Sequence, residues 1–151
     1  MANGAPGRIA SRHERRCGAR AMIWVEVFAV FVVSHLVGDF LLQTDWQASH
    51  KECGLGSDPI HRRALGAHVV TYMLAFVPAL VWIAIETDVL WAIVIAAVIA
   101  VPHLVQDDRR LLDSYMARVK GVNDKALGLR IAVDQSFHVL FLFGTALLVV
   151  A

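Results

Sequence analysis

Charged residues are scarce in this sequence. This and other absences exclude several classes of protein. Only 18% of the 151 residues are charged and the formal net charge is +1, so the composition gives no indication of nucleic-acid binding. The two cysteines, Cys17 and Cys53, form no Cys-x-x-Cys pair and no disulfide framework, which indicates free thiols. The sequence also contains no P-loop, dinucleotide-binding fingerprint or nucleophile elbow.

Apolar residues, in contrast, are abundant. They make up 58% of the chain, whereas soluble domains usually contain about 45–50%. A soluble domain of this size could not bury so much apolar surface, because small domains leave a large share of their surface exposed. We therefore expect most of the surface to contact the lipid bilayer.

Four apolar segments predict the fold. About 20 residues at ~1.5 Å each span a hydrocarbon core of ~30 Å, and the segments show none of the two-residue alternation of strands. We predict an all-α integral membrane bundle of four transmembrane helices in up-down-up-down order. The predicted helices are residues 22–42, 64–85, 89–105 (extended to 107) and 131–151, joined by polar loops at 51–63 and 108–130 and a tight link at 86–88.

The first 21 residues are treated apart from the predicted membrane domain of residues 22–151. They are rich in arginine, contain one acid, Glu14, and have no apolar core of their own. We expect residues 1–21 to be disordered. The alternative is that translation starts at Met22, directly before the first predicted helix.

Histidine and aspartate recur four residues apart in three of the four predicted helices. Residues at i and i+4 share one helix face, and in an up-down-up-down bundle these positions fall in one layer near one membrane face. Ionisable residues inside a membrane usually face the bundle interior. The pairs are His35 with Asp39, His103 with Asp107, and Asp134 with His138, and His68 joins them from the second helix.

This layer predicts a site for a divalent metal. Mixed imidazole and carboxylate ligands suit Zn²⁺, Mn²⁺ or Fe²⁺, and we expect Zn²⁺ or Mn²⁺, with Gln43 and Gln135 orienting the ligands. One alternative is a purely structural cluster of His–Asp hydrogen bonds between helices. Haem is disfavoured, because its apolar macrocycle would lie beside buried carboxylates. The expected ligands are His35, Asp39, His68, His103, Asp107, Asp134 and His138.

The motifs also resemble a known family. "SHLVGDFLLQTDW", "LGAHVVTY", "HLVQD" and "DQSFHVL", in this order, resemble the small bacterial membrane proteins of domain-of-unknown-function family 3307, from Met22 to Val150. The resemblance implies a multi-pass inner-membrane protein with a distant similarity to inner-membrane metal-dependent hydrolases. Asp108 stands where the family often has an aromatic residue, so Asp108 could compete with Asp107 as a ligand. The family positions are His35, Asp39, Gln43, His68, His103, Asp107, Asp134, Gln135 and His138.

Three classes of function fit this pattern. The first is a metal-dependent hydrolase of a lipid-linked or phosphate-containing substrate, with Asp39, Asp107 and Asp134 as candidate catalytic carboxylates. The second is a metal-ion or proton transporter, which would need a homo-oligomer because four short helices are few for one pathway. The third is a noncatalytic membrane partner whose polar cluster is structural.

Positive charge predicts the orientation of the protein. Lysine and arginine concentrate on the side that carries the histidines, and the positive-inside rule places such loops in the cytoplasm. Both termini would then lie outside. The nine residues on this side are Lys51, Arg62, Arg63, Arg109, Arg110, Arg118, Lys120, Lys125 and Arg130.

Overall fold

A computed structural model describes residues 23–122 and 126–151 of the chain. Residues 1–21, predicted to be a disordered tail, lie outside the described residues, as do Met22 and Lys125. Within the described ranges the chain forms helices and connecting turns, with no strand. The predicted all-α fold is confirmed.

Four helices are long and apolar enough to cross a membrane, as predicted. Helix α1, with the π-helical segment that continues it, packs against α3 and α6, and α4 packs against the same two helices. The described elements are α1 (Trp24–Leu36) continued by a π-helical segment (Val37–Leu41), α2 (Asp45–His50), α3 (Pro59–Glu86), α4 (Val89–Asp107), α5 (Arg110–Tyr115) continued by a second π-helical segment (Met116–Lys120), and α6 (Leu127–Val149).

Helix α3 begins at Pro59, five residues before the predicted start at residue 64. The carboxylate of Asp58 caps it by accepting hydrogen bonds from the backbone N–H groups of Ile60, at 2.7 Å, and His61, at 3.4 Å. These bonds lower the pKa of Asp58, since they favour its charged form. Proline fits the first helical position because its missing N–H needs no partner there. The predicted loop of residues 51–63 is therefore wrong in its last five residues, which are helical. The apolar pattern marks where the helix enters lipid, and the helix itself begins earlier.

Part of the polar connections is also helical. Thr44 and Gln47 form a capping box that starts α2: the Gln47 side chain accepts from Thr44 N at 2.8 Å, and Thr44 Oγ1 accepts from Gln47 N at 3.3 Å. The side chain of Gln47 then donates to Thr71 Oγ1 of α3 at 3.4 Å. These contacts fold α2 back against the bundle. Helix α5 likewise lies where a loop was predicted between residues 108 and 130.

Apolar side chains fill the end of the bundle away from the histidines. This end is formed by the start of α1, the end of α3, the start of α4 and the end of α6. Outward-facing residues such as Val70 and Ile85 are exposed, at 63% and 75%, as expected for helices surrounded by lipid. The core residues are Val27, Phe31, Tyr72, Phe76, Ala79, Ile83, Ala92, Ile95, Ile99, Leu142, Ala146 and Val149.

Candidate metal centre

All four helices contribute buried imidazole or carboxylate groups to one cluster at the end of the bundle opposite the apolar core. α1 and its π-helical segment supply one histidine and one aspartate, α3 and α6 supply one histidine each, and α4 supplies a histidine and an aspartate. No member is more than 8% exposed. The cluster contains His35, Asp39, His68, His103, Asp107 and His138.

Asp107 lies at the centre of the cluster. Its Oδ2 atom is 2.7 Å from Nε2 of His68 and 3.2 Å from Nε2 of His103. The same oxygen accepts a hydrogen bond from the ammonium group of Lys51 at 3.0 Å. Its Oδ1 atom lies 3.7 Å from Nε2 of His138. One carboxylate thus faces three of the four histidines.

Asp39 faces the same imidazoles from the opposite wall. Its Oδ1 atom lies 3.4 Å from Nε2 of His68 and 3.8 Å from Nε2 of His103, and Oδ2 lies 3.5 Å from Nδ1 of His35. Asp39 belongs to the π-helical segment Val37–Leu41, which ends with a bond from Leu42 N to Val37 O at 2.9 Å. Short π-helical segments occur frequently at functional sites.

Two groups of these residues have the geometry to hold a metal ion. They are Asp39 with His68 and His103, and His103 with Asp107 and His138, and the candidate ligand atoms within each group lie within 4.8 Å of one another. His103 belongs to both groups. Mixed nitrogen and oxygen donors of this kind fit a divalent transition metal.

The orientation of His138 suits a ligand. Its Nδ1 atom donates to the carbonyl oxygen of Asp134 at 2.9 Å, so in the neutral ring Nε2 carries the lone pair. That Nε2 atom is buried and has no hydrogen-bond partner within the described residues. Histidine ligands commonly use their second ring nitrogen in this way to fix tautomer and orientation.

His35 has different contacts. The amide oxygen of Gln135 accepts from Nε2 of His35 at 3.0 Å, and the hydroxyl of Tyr72 donates to Nδ1 at 3.3 Å. His35 belongs to neither of the two ligand groups. Gln135 makes the kind of contact expected of an orienting amide, while Gln43 accepts from Lys51 at 2.8 Å.

Tyr72 connects the cluster to the apolar core. Its ring stacks on His103 with the ring centroids 3.4 Å apart. Gly38 makes room for this ring, because a Cβ atom at position 38 would lie 2.6 Å from Cδ2 of Tyr72. The sequence placed Tyr72 one helical turn after His68 but gave no sign of the stack.

Asp134 lies at the edge of the cluster. Its side chain is 14% exposed, and its Oδ1 atom is 3.9 Å from Nδ1 of His138, beyond hydrogen-bonding distance. Asp134 also lines a cavity of about 700 Å³ between α4, α5 and α6. The other residues of this groove are mostly apolar: Val98, Gln106, Leu111, Leu112, Tyr115, Phe137, Leu140, Phe141, Gly144, Thr145 and Leu148.

Asp108 faces away from the cluster. Its Oδ1 atom accepts from the backbone N–H of Leu55 at 2.7 Å, and its Oδ2 atom lies 3.2 Å from Nε of Arg110. An ion pair between Arg109 and Glu52 ties the same connection to α4. Asp107, and not Asp108, therefore faces the histidines.

Sequence reasoning missed Lys51. It was assigned to a polar loop, yet it is 4% exposed and its ammonium group lies within the cluster. The capping box of Thr44 and Gln47 was the available signal, because it predicts a helical turn that redirects the chain after α1.

Comparison with known proteins identifies the family. The family model described as "protein of unknown function (DUF3307)" matches residues 27–150. No curated protein and no solved structure matches the chain. The distant similarity to metal-dependent hydrolases therefore gains no support from these comparisons. The motif-based resemblance is confirmed over most of the chain, which belongs to the DUF3307 family of proteins of unknown function.

Proposed function

We propose that the protein is a multi-pass inner-membrane enzyme that holds one Zn²⁺ or Mn²⁺ ion in the His/Asp cluster and hydrolyses a lipid-linked or phosphate-containing substrate. The observation that carries this proposal is the overlap of two buried three-residue ligand groups at His103. Three protein ligands with a further position left open are typical of catalytic zinc sites.

Unpartnered atoms favour a metal over a purely structural cluster. Buried polar groups normally have hydrogen-bond partners, and leaving them without one is costly. A cluster that existed to join helices would satisfy its own atoms. Four buried atoms here have no hydrogen-bond partner among the described residues: Asp39 Oδ1, His68 Nδ1, His103 Nδ1 and His138 Nε2. Asp39 Oδ1 and His138 Nε2 face the ligand groups, where a cation would satisfy them.

The carboxylates divide into two roles in this proposal. A bound divalent metal lowers the pKa of a coordinated water to near 7. Asp39 and Asp107 belong to the ligand groups. Asp134 belongs to neither, is partly exposed and lies beside His138, so it is the carboxylate best placed to accept a proton from water.

The groove beside Asp134 favours a lipid as substrate. Three of its four polar side chains, Asp134, Gln106 and Tyr115, lie at the end near the cluster, and Thr145 is the one polar residue among those that line the rest as far as Leu148. The helical rise from Asp134 to Leu148 gives a length of ~21 Å, more than the ~15 Å depth of one leaflet. We propose that one hydrocarbon chain of the substrate lies in this groove with its polar end at Asp134.

A transporter is less well supported. Transport sites usually lie near the bilayer midplane, whereas this cluster lies near one membrane face. Beyond it, side chains such as Phe31, Phe76 and Ile95 fill the bundle with an apolar core. A pathway through one chain would have to cross that core.

The site faces the cytoplasm in this proposal, because basic residues concentrate on its side. Cys53 lies on that side and is exposed. In a Cys17→Ser background, Cys53 should resist an impermeant thiol reagent in intact cells and react in inverted vesicles. Labelling of Cys53 in intact cells would show that the site faces the opposite side of the membrane.

The activity is tested by reconstituting the purified full chain in liposomes with Zn²⁺ or Mn²⁺. Phospholipids and lipid-linked phosphates are screened for turnover by mass spectrometry. We expect metal-dependent hydrolysis that Asp134→Asn lowers at least about 100-fold, as for loss of a general base. Asp45→Asn, an exposed carboxylate on α2, is the matched control. Release of Zn²⁺ trapped inside the liposomes, without any hydrolysis, would favour the transporter instead.

A further inference from the structure

Lys51 is a buried cation that the proposed chemistry does not yet use. It follows α2, and its side chain is 5% exposed. Its ammonium nitrogen lies 3.0 Å from Asp107 Oδ2, 3.3 Å from His68 Nε2 and 2.8 Å from Gln43 Oε1. Buried lysines are rare unless they are paired, so this contact set gives Lys51 a role inside the cluster.

The ammonium group contacts atoms that a metal would also need. Asp107 and His68 each belong to one of the two ligand groups. A metal bound at ~2.0–2.2 Å from a nitrogen or oxygen ligand would use the Asp107 oxygen and the His68 Nε2 atom that now lie beside the ammonium group. Two cations cannot share these acceptors without strong repulsion, so the ammonium group must withdraw when the metal binds. The flexible stem of lysine permits this without movement of the backbone.

Charge gives the withdrawn ammonium group a new partner. Asp39, Asp107 and Asp134 give the site three formal negative charges, and Lys51 gives one positive charge. A divalent ion brings the total to zero and places two positive charges beside Lys51. The ion with its open position and Lys51 together attract an anionic group.

We propose that Lys51 exchanges between two partners: it holds Asp107 and His68 while the metal is absent, and it binds an anionic group, of the phosphate or carboxylate class, once the metal is present. This inference rests on the metal site of the proposed function. It makes Lys51 a competitor of the metal and a determinant of specificity for anionic substrates.

The backbone around Lys51 is held in place, which confines the exchange to the side chain. Asp108 accepts from Leu55 N at 2.7 Å, and its carbonyl oxygen accepts from Cys53 N at 3.0 Å. The ion pair between Glu52 and Arg109 adds a third tie. The ammonium group therefore stays within reach of the site in both states.

Two titrations of the purified full chain test the proposal. Zn²⁺ is titrated by calorimetry into metal-free wild type, Lys51→Met and Lys51→Gln, with Lys120→Met as the matched control at an exposed lysine. Both Lys51 variants should bind Zn²⁺ about tenfold or more tightly than wild type, because no charge-assisted hydrogen bond has to be broken first. Inorganic phosphate is then titrated into the Zn²⁺-loaded proteins, and both variants should bind it about tenfold more weakly. The control should match wild type in both titrations.

Tighter Zn²⁺ binding together with weaker phosphate binding is the result expected for exchange. If Lys51→Met does not fold, Lys51→Gln provides the same test. Unchanged or weaker Zn²⁺ binding in the variants would overturn the competition. Unchanged or absent phosphate binding would overturn the anionic role. Zn²⁺ binding by the variants but not by wild type would support the competition, but it would contradict the proposal that wild type normally holds a metal. Zn²⁺ binding by none of the proteins would instead remove the metal site of the proposed function.

Discussion

The two ends of the bundle are built from the same four helices but are stabilised in different ways. At one end, side chains such as Ile83 and Ile95 are fully buried and apolar, and packing is their only contribution. At the other end, His68 and Asp107 are as deeply buried but carry polar atoms, and Nδ1 of His68 has no hydrogen-bond partner within the described residues. Burial of such atoms is costly, so the polar end retains them at the expense of stability. This difference is the reason to assign folding to one end and chemistry to the other.

The largest expected effect on stability belongs to the apolar end. Ile83→Ala should lower the free energy of unfolding by about 2–5 kcal/mol, because it leaves a cavity among packed side chains. Ile85→Ala is the matched control, since Ile85 is 75% exposed whereas Ile83 is fully buried. Unfolding is measured in mixed detergent micelles, and metal bound per folded chain should be unchanged. Loss of metal in folded Ile83→Ala would contradict the claim that the apolar end contributes to stability and not to metal binding.

Gly38 tests the contact between the two ends. Gly38→Ala would place a methyl group 2.6 Å from the ring of Tyr72, and relief of this overlap should cost about 1–3 kcal/mol. The shift of Tyr72 away from His103 should also weaken metal binding. Gly66→Ala is the control, because in the described part of the chain no atom beyond its own helical turn lies within 4 Å of the added atom. Equal stability and equal metal affinity in the two variants would contradict the stacked arrangement.

Asp39→Asn should separate chemistry from stability most clearly. The amide keeps a similar shape and can still form hydrogen bonds, so the free energy of unfolding should change by only about 1 kcal/mol. Metal affinity should fall at least about tenfold, because a neutral amide replaces a charged ligand. Calorimetric titration of Zn²⁺ measures this, with Asp45→Asn as the control. Unchanged affinity would exclude the group of Asp39, His68 and His103 as the metal site.

Asp58 should give the smallest effect, outside both ends. Asp58→Ala removes the cap of α3, whereas Asp58→Asn keeps it. The pKa of Asp58 is lowered in the folded protein. The ionised carboxylate therefore stabilises the fold at neutral pH, and this stabilisation is lost as the pH falls from 3.8, the ordinary pKa of the group, through the folded pKa. Thermal unfolding of metal-free protein should show the difference between wild type and Asp58→Ala shrinking over that range. A difference that grows with acidification would contradict this cap.

Part of the candidate site could be predicted because helical periodicity is local. The pairs His35 with Asp39 and His103 with Asp107 share faces whatever the tertiary structure, and up-down order then places them in one layer. Lys51 could not be predicted in the same way. Its position depends on the turn that the capping box of Thr44 and Gln47 begins, and on a hydrogen bond from Leu55 N to Asp108 across more than fifty residues. A local pattern encodes the turn but not this hydrogen bond.

Asp134 shows a second limit of periodicity. It shares a helix face with His138, but His138 bonds the backbone carbonyl of Asp134 and not its carboxylate. Spacing fixes which residues are neighbours, while packing decides which of their atoms meet.

The central claim, a metal in the His/Asp cluster, is tested most directly by the metal content of the purified protein. Wild type, His103→Ala and His50→Ala are compared by elemental mass spectrometry, since His103 belongs to both ligand groups and His50 bonds the carbonyl oxygen of Trp46 outside them. The account predicts about one Zn or Mn per chain in wild type and His50→Ala, as in sites with three protein ligands, and a loss of most of it in folded His103→Ala. Equal metal content in all three proteins, or none in wild type, would contradict it.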